Sequence, residues 1–94
     1  MRFKYVMMQR MRGGSEQLVP VIFPEVLNHN DVAAALQGRE PYLRGCPVKS
    51  AGFVTIGVDG KLACDGGSES LGIKAHPDDA RIISAYNYLH GIVR

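Results

Sequence analysis

The chain has 94 residues, which is one domain, because folded units of ~100 residues bury only enough surface for a single core. Hydrophobic residues make up 46% and charged residues 21%, a balance that excludes a disordered chain. No apolar run approaches the ~20 residues needed to span a bilayer. No N-terminal series resembles a signal peptide, so a small soluble protein is expected.

Residues 2–8 alternate, with Phe3, Tyr5 and Met7 on one side and Arg2 and Lys4 on the other, before turning apolar on both. Aromatic and β-branched content at period two predicts a strand. Residues 10–15 read as a turn, because Gly13 and Gly14 supply positive φ without steric cost. A second apolar run over 18–23 completes a hairpin. Pro20 cannot donate to a ladder, so this strand belongs at a sheet edge or at a bulge.

Residues 23–25 end that strand. Asn28 or Asn30 offers a side-chain cap for a short helix over 31–36, with Asp31 at its positive end and Gly38 as a left-handed stop. Residues 39–47 form a loop punctuated by Pro41, Gly45 and Pro47. Residues 50–56 predict a third strand, and Asp59-Gly60 predicts a primed hairpin turn. The return strand covers 61–65 and continues past a bulge at Gly66-Gly67 into 70–73. Pro77 then opens a final helix whose stripe is Ile82, Ala85, Tyr86 and Leu89, with Gly91 as its end.

The order β-β-α-β-β-α predicts an α+β fold, a two-layer antiparallel four-stranded sheet with both helices on one face. The helix starts share a spacing, His29-x-Asp31-x-Ala33 and His76-x-Asp78-x-Ala80. Duplication of a β-β-α unit would explain it, and so would the common need to cap a helix and place carboxylates in its first turn, which is the reading favoured.

Size and side-chain inventory restrict the chemistry. Doubly wound sheets, barrels and hydrolase folds need more chain, so any site is shallow or shared between subunits. His29, Asp31, His76 and Asp78 would make a metal site only if the two halves met, and they lack the tight spacing of dedicated ligand sets. No catalytic residue is assigned and no cofactor is expected. Cys46 and Cys64 form no CxxC pair and read as reduced thiols. Residues 66–72 are rich in Gly and Ser but do not open into a helix as a phosphate cradle does. They read as a strand connection whose hydroxyls could meet a ligand at a loop tip.

Charge is unevenly placed. Seven basic residues face four acidic ones in 1–49, against four and five in 50–94. Arg2, Lys4, Arg10 and Arg12 gather on the first hairpin, a shape suited to gripping phosphates, which makes a nucleic-acid interface one alternative. Tyr42, Arg44 and Tyr88 are the candidates for a protein-partner surface. A sheet covered on one face leaves the other open, which predicts a homodimer.

The strings 21–25, His29-x-Asp31-Val32-Ala33, 50–54, 67–72 and Pro77-x-Asp79-Ala80-Arg81-Ile82-Ile83 together resemble small proteins encoded by bacteriophages and prophages. The resemblance covers residues 19–83. It implies a bacterial cytoplasm, away from membranes, and an accessory protein that binds a host or phage protein or a nucleic acid. The sequence thus predicts a non-enzymatic binding protein, with nucleic-acid binding as the first alternative and a metal-dependent hydrolase as the second.

Overall fold

Gly13 and Gly14 adopt φ of +57° and +82°, the left-handed pair that a two-residue type I′ turn requires. The turn joins β1 (Arg2–Arg12) to β2 (Ser15–Phe23) with Arg12 opposite Ser15. Hydrogen-bonded pairs therefore fall on the odd positions of β2, and Pro20 lies between them with its ring nitrogen turned from β1. The phase agrees with Gln9, whose N–H points the other way, to Pro47 O at 2.9 Å. The computed structural model describes residues 1–90, with side chains described through Tyr86.

β3 (Val48–Ile56) pairs with β1 on its other side, and β4 (Leu62–Asp65) pairs with β3, giving an antiparallel sheet of order β2-β1-β3-β4. Pro20 thus lies on an edge strand, where its missing donor breaks no ladder. The β1–β3 register shifts at Met7/Met8, leaving Lys49 as an extra residue on β3. Lys49 Nζ reaches Glu16 Oε1 at 2.9 Å.

Two turns differ from expectation. Gly60 has φ +81°, but no non-glycine residue among those described has positive φ, so Asp59 cannot be part of a primed turn. Instead Gly60 N–H donates to Gly57 O and Gly57 N–H to Lys61 O, each at 2.9 Å. That is a three-residue loop ending in a left-handed glycine. Past β4, the chain does not continue through a bulge but forms a separate ribbon, β5 (Gly67–Ser68) with β6 (Ile73–Lys74).

α1 (His29–Arg39) is longer than expected and runs through Gly38. Its end is set by Pro41, because Glu40 is pushed to φ −90°, ψ 109°, the extended region that a residue before proline prefers. Asn28 stands at the N-cap with extended backbone but makes no side-chain cap. Its amide instead donates to Asp31 Oδ2 at 3.4 Å. Pro41–Leu43 form a 3-10 turn.

α2 (Asp79–His90) is preceded by a cap built from unusual parts. His76 Nδ1 accepts from Asp78 N–H at 3.1 Å, and Asp79 Oδ2 accepts from His76 N–H at 2.9 Å. This is the reciprocal geometry of a capping box, with histidine in the place of serine and Pro77 at the first position. Gly91 and the side chains of Tyr88 and Leu89 lie outside the described residues.

The α+β class, the antiparallel four-stranded sheet and its two helices are those predicted. The helices, however, cover opposite faces. Val6, Met8, Val19 and Phe23 pack with Val32 and Leu36 of α1, while Tyr5, Met7 and Val54 pack with Ile82 and Ile83 of α2. Tyr5, Val6, Met7 and Met8 are all fully buried. Neighbours on a strand point to opposite faces, so an apolar run without alternation needs cover on both sides. Among the described residues no helix is long and apolar enough to cross a membrane.

Candidate functional site

Both faces of the sheet are covered, and the first candidate lies at its rim, while the most exposed large apolar residues, Met1, Met11, Val26 and Val58, sit elsewhere. α1 ends and the 3-10 turn begins beside β2, bringing Leu36 and Tyr42 against the strand. A groove of about 420 Å³ runs there, lined by Val19, Val21, Leu36, Tyr42, Leu43 and Tyr86, with Glu40 on its wall. The loop behind it is fastened by Gln37, whose side chain donates to Cys46 O at 2.9 Å, and by Gly45 N–H, which donates to Gln37 O at 3.0 Å. Tyr42 is 40% exposed. Arg10 holds it from below, with its guanidinium 4.0 Å from the ring centroid and Nε donating to Tyr42 O at 3.1 Å. A stacked, hydrogen-bonded arginine fixes the ring and keeps a positive charge at the groove mouth.

Arg44 follows Leu43 and is exposed, as is Arg39 at the end of α1. The groove therefore has an apolar floor and basic residues on its flanking loop, against one acid, Glu40. Pro20 leaves a gap in the donors along the free edge of β2, so an added strand would not pair continuously there. Recognition falls to side chains.

The basic hairpin residues do not form one cluster. Arg2, Lys4, Arg10 and Arg12 share the α1 face of β1, but Arg2 and Arg12 are ten positions apart, roughly 33 Å along a strand. At one end the Arg2 guanidinium lies 4.0 Å from the Phe53 centroid and pairs with Glu25 at 3.9 Å. Lys4 Nζ donates to Leu27 O at 2.8 Å. Arg10 is committed to Tyr42 and to Gln17 Oε1 at 3.0 Å. Arg12 stands exposed beside the Gly13-Gly14 turn.

The two histidine-aspartate pairs are separated by the sheet. His29 is buried on the α1 face, edge-on to Phe23 and Phe53, with Nε2 2.9 Å from Gly52 O. His76 and Asp78 sit at the start of α2 on the other face. Among the described residues no group of three or more His, Cys, Asp or Glu is placed to hold a metal ion.

The Gly-rich segment forms an open cup of about 670 Å³ beside Phe53. Its hydroxyls serve the turn itself: Ser68 Oγ accepts from Leu71 N–H at 3.2 Å and lies 3.1 Å from Ser70 Oγ.

The sequence did not point to Asp79 as a buried residue. It is 2% exposed and accepts from Tyr5 Oη at 2.5 Å as well as from His76 N–H. The spacing His76-x-x-Asp79 is the available signal, since the third helical residue is the one that reaches back in a capping box. Burial and the Asp79 carboxylate both push the Tyr5 phenol well above its ordinary value. The same two causes push the nearby Cys64 thiol up to about 11, so it is no thiolate nucleophile near neutral pH. Cys46 and Cys64 are both free thiols. No protein-family model, curated protein or solved structure matches the chain.

Proposed function

We propose that the protein acts by binding another protein, through the groove between β2, α1 and the 3-10 turn. The observation that supports this is Tyr42, an aromatic ring held in place by Arg10 at the mouth of an apolar groove. Immobilised tyrosines with arginine neighbours are the groups that dominate protein interfaces, because they bury much area at little conformational cost. Arg10 beneath Tyr42, with Arg39 and Arg44 exposed on the adjoining segments, favours a partner segment that is apolar with an acidic flank. The resemblance of residues 19–83 to small phage-encoded proteins points to a host or phage protein as that partner.

The test compares capture from a bacterial lysate by the wild type, by Tyr42→Ala with Leu36→Glu, and by Arg10→Ala with Arg12→Ala. One stoichiometric partner, lost with the groove variant while circular dichroism shows the fold intact, supports the reading. Capture unchanged by the groove variant sinks it. Salt-dependent retardation of nucleic acid, lost only with the double arginine variant, would transfer the function to the hairpin tip.

A further inference from the structure

Ser50 is 3% exposed and its Oγ has no hydrogen-bond partner among the described residues. Buried hydroxyls without partners are rare, because losing water without replacement costs roughly 1–3 kcal/mol. Ser50 lies on β3 next to the bulge at Lys49, facing α2, and lines a cavity of about 90 Å³. The opposite wall is the start of α2, with His76, Asp78 and Asp79, and Leu18, Lys49 and Ile82 complete it.

We infer that this cavity is a hydration site, in which ordered water joins Ser50 Oγ to the capping residues of α2. The space suffices, since the room open to a water's centre need be only about 10–15 Å³, and a buried water needs two to four polar partners. The partners are on hand. Both hydrogen bonds to Asp79 fall on Oδ2, leaving Oδ1 as an acceptor. His76 uses Nδ1 to accept from Asp78 N–H, so Nε2 carries the ring proton and can donate.

Charge selects the occupant. Asp78 and Asp79 disfavour an anion, and the Lys49 ammonium is already engaged by Glu16 at 2.9 Å. The residues lining the cavity are no metal set either. Water is the neutral molecule that can accept from His76, donate to Asp79 and serve Ser50. The same tautomer argues against a serine nucleophile here, because a protonated Nε2 cannot take the Ser50 proton. The site therefore seats the helix, binding β3 to α2 through solvent.

High-resolution crystal structures of the wild type and of Ser50→Ala test this. The wild type is expected to show an ordered water 2.7–3.2 Å from Ser50 Oγ, the ordinary hydrogen-bond range. It should also bond to Asp79 or His76. Ser50→Ala should retain the fold and lose that water or show it displaced. A Ser50 hydroxyl bonded directly to protein with no water in the cavity would overturn the inference. So would a water that stays in place, unmoved, in Ser50→Ala.

Discussion

Tyr5 Oη lies 2.5 Å from Asp79 Oδ2, a buried hydrogen bond that joins residues 74 positions apart. It ties the central strand β1 to the first turn of α2, and the same carboxylate oxygen holds the His76 N–H of the cap. One acid thereby fixes where the last helix starts and which face of the sheet it covers. Removing the phenol leaves a buried carboxylate short of a donor, at a cost of roughly 1–3 kcal/mol. Tyr5→Phe is therefore expected to lower Tm by roughly 4–24 °C, taking ~4–8 °C per kcal/mol for a domain of this size. Asp79→Ala loses the cap as well and should fall further. In a double-mutant cycle the two changes should be non-additive, since they share one bond. Additivity within ~0.5 kcal/mol would show that the bond contributes nothing.

Alkali should unfold the protein before it ionises Tyr5. The folded state raises the pKa of both Tyr5 and Cys64. A group whose neutral form is favoured in the fold contributes stability below its unfolded pKa, and that stability is lost as pH rises. For Cys64 the window opens at the ordinary value of 9.0 and extends to about 11. For Tyr5 it begins at 10.0 and continues upward. Absorbance at 295 nm, followed against circular dichroism, checks this. Burial raises Tyr86 as well, so the late step should include Tyr5 titrating together with loss of structure, and in Tyr5→Phe it should shrink by one tyrosine. A Tyr5 phenolate formed with native dichroism intact would contradict the expectation.

Much of the architecture was legible because a few residues have narrow conformational uses. Gly13-Gly14 fixed the first turn, and Pro20 marked the edge strand. Pro77 with two aspartates marked the last helix. The side of the sheet each helix would cover was harder to read. The signal was present, since Val6-Met7-Met8 offers no polar side, but the preceding alternation of Arg2, Phe3, Lys4 and Tyr5 suggests one wet face. Gly38 failed as a stop because Pro41 acts more strongly on Glu40 than a glycine without tertiary need acts on the helix. Tyr42 was legible as a surface aromatic. Its groove was not, because Val19, Leu36 and Leu43 come from three segments that only packing brings together.

Two glycine-to-alanine changes should act with opposite sign. Gly38 lies inside α1, without positive φ, and nothing sits within 4 Å of where a Cβ would go. Alanine there limits the unfolded chain and suits a helix, so Gly38→Ala should stabilise by about 0.5–1 kcal/mol. Gly52 lies in the middle of β3, with Asp65 O 2.5 Å and Ala75 Cβ 3.1 Å from the position of an added Cβ. The nearer obstacle is backbone at the end of β4, which cannot rotate aside as a side chain can. Gly52 O also meets His29 Nε2, so any shift of β3 disturbs the buried imidazole between Phe23 and Phe53. Gly52→Ala should cost about 1–3 kcal/mol, the usual range for overpacking. Urea unfolding of the two variants beside the wild type measures both. A Gly52→Ala midpoint equal to that of the wild type would mean that β4 and the segment around Ala75 can move away from β3 at no cost, and that the tight contact is not what keeps glycine in that strand.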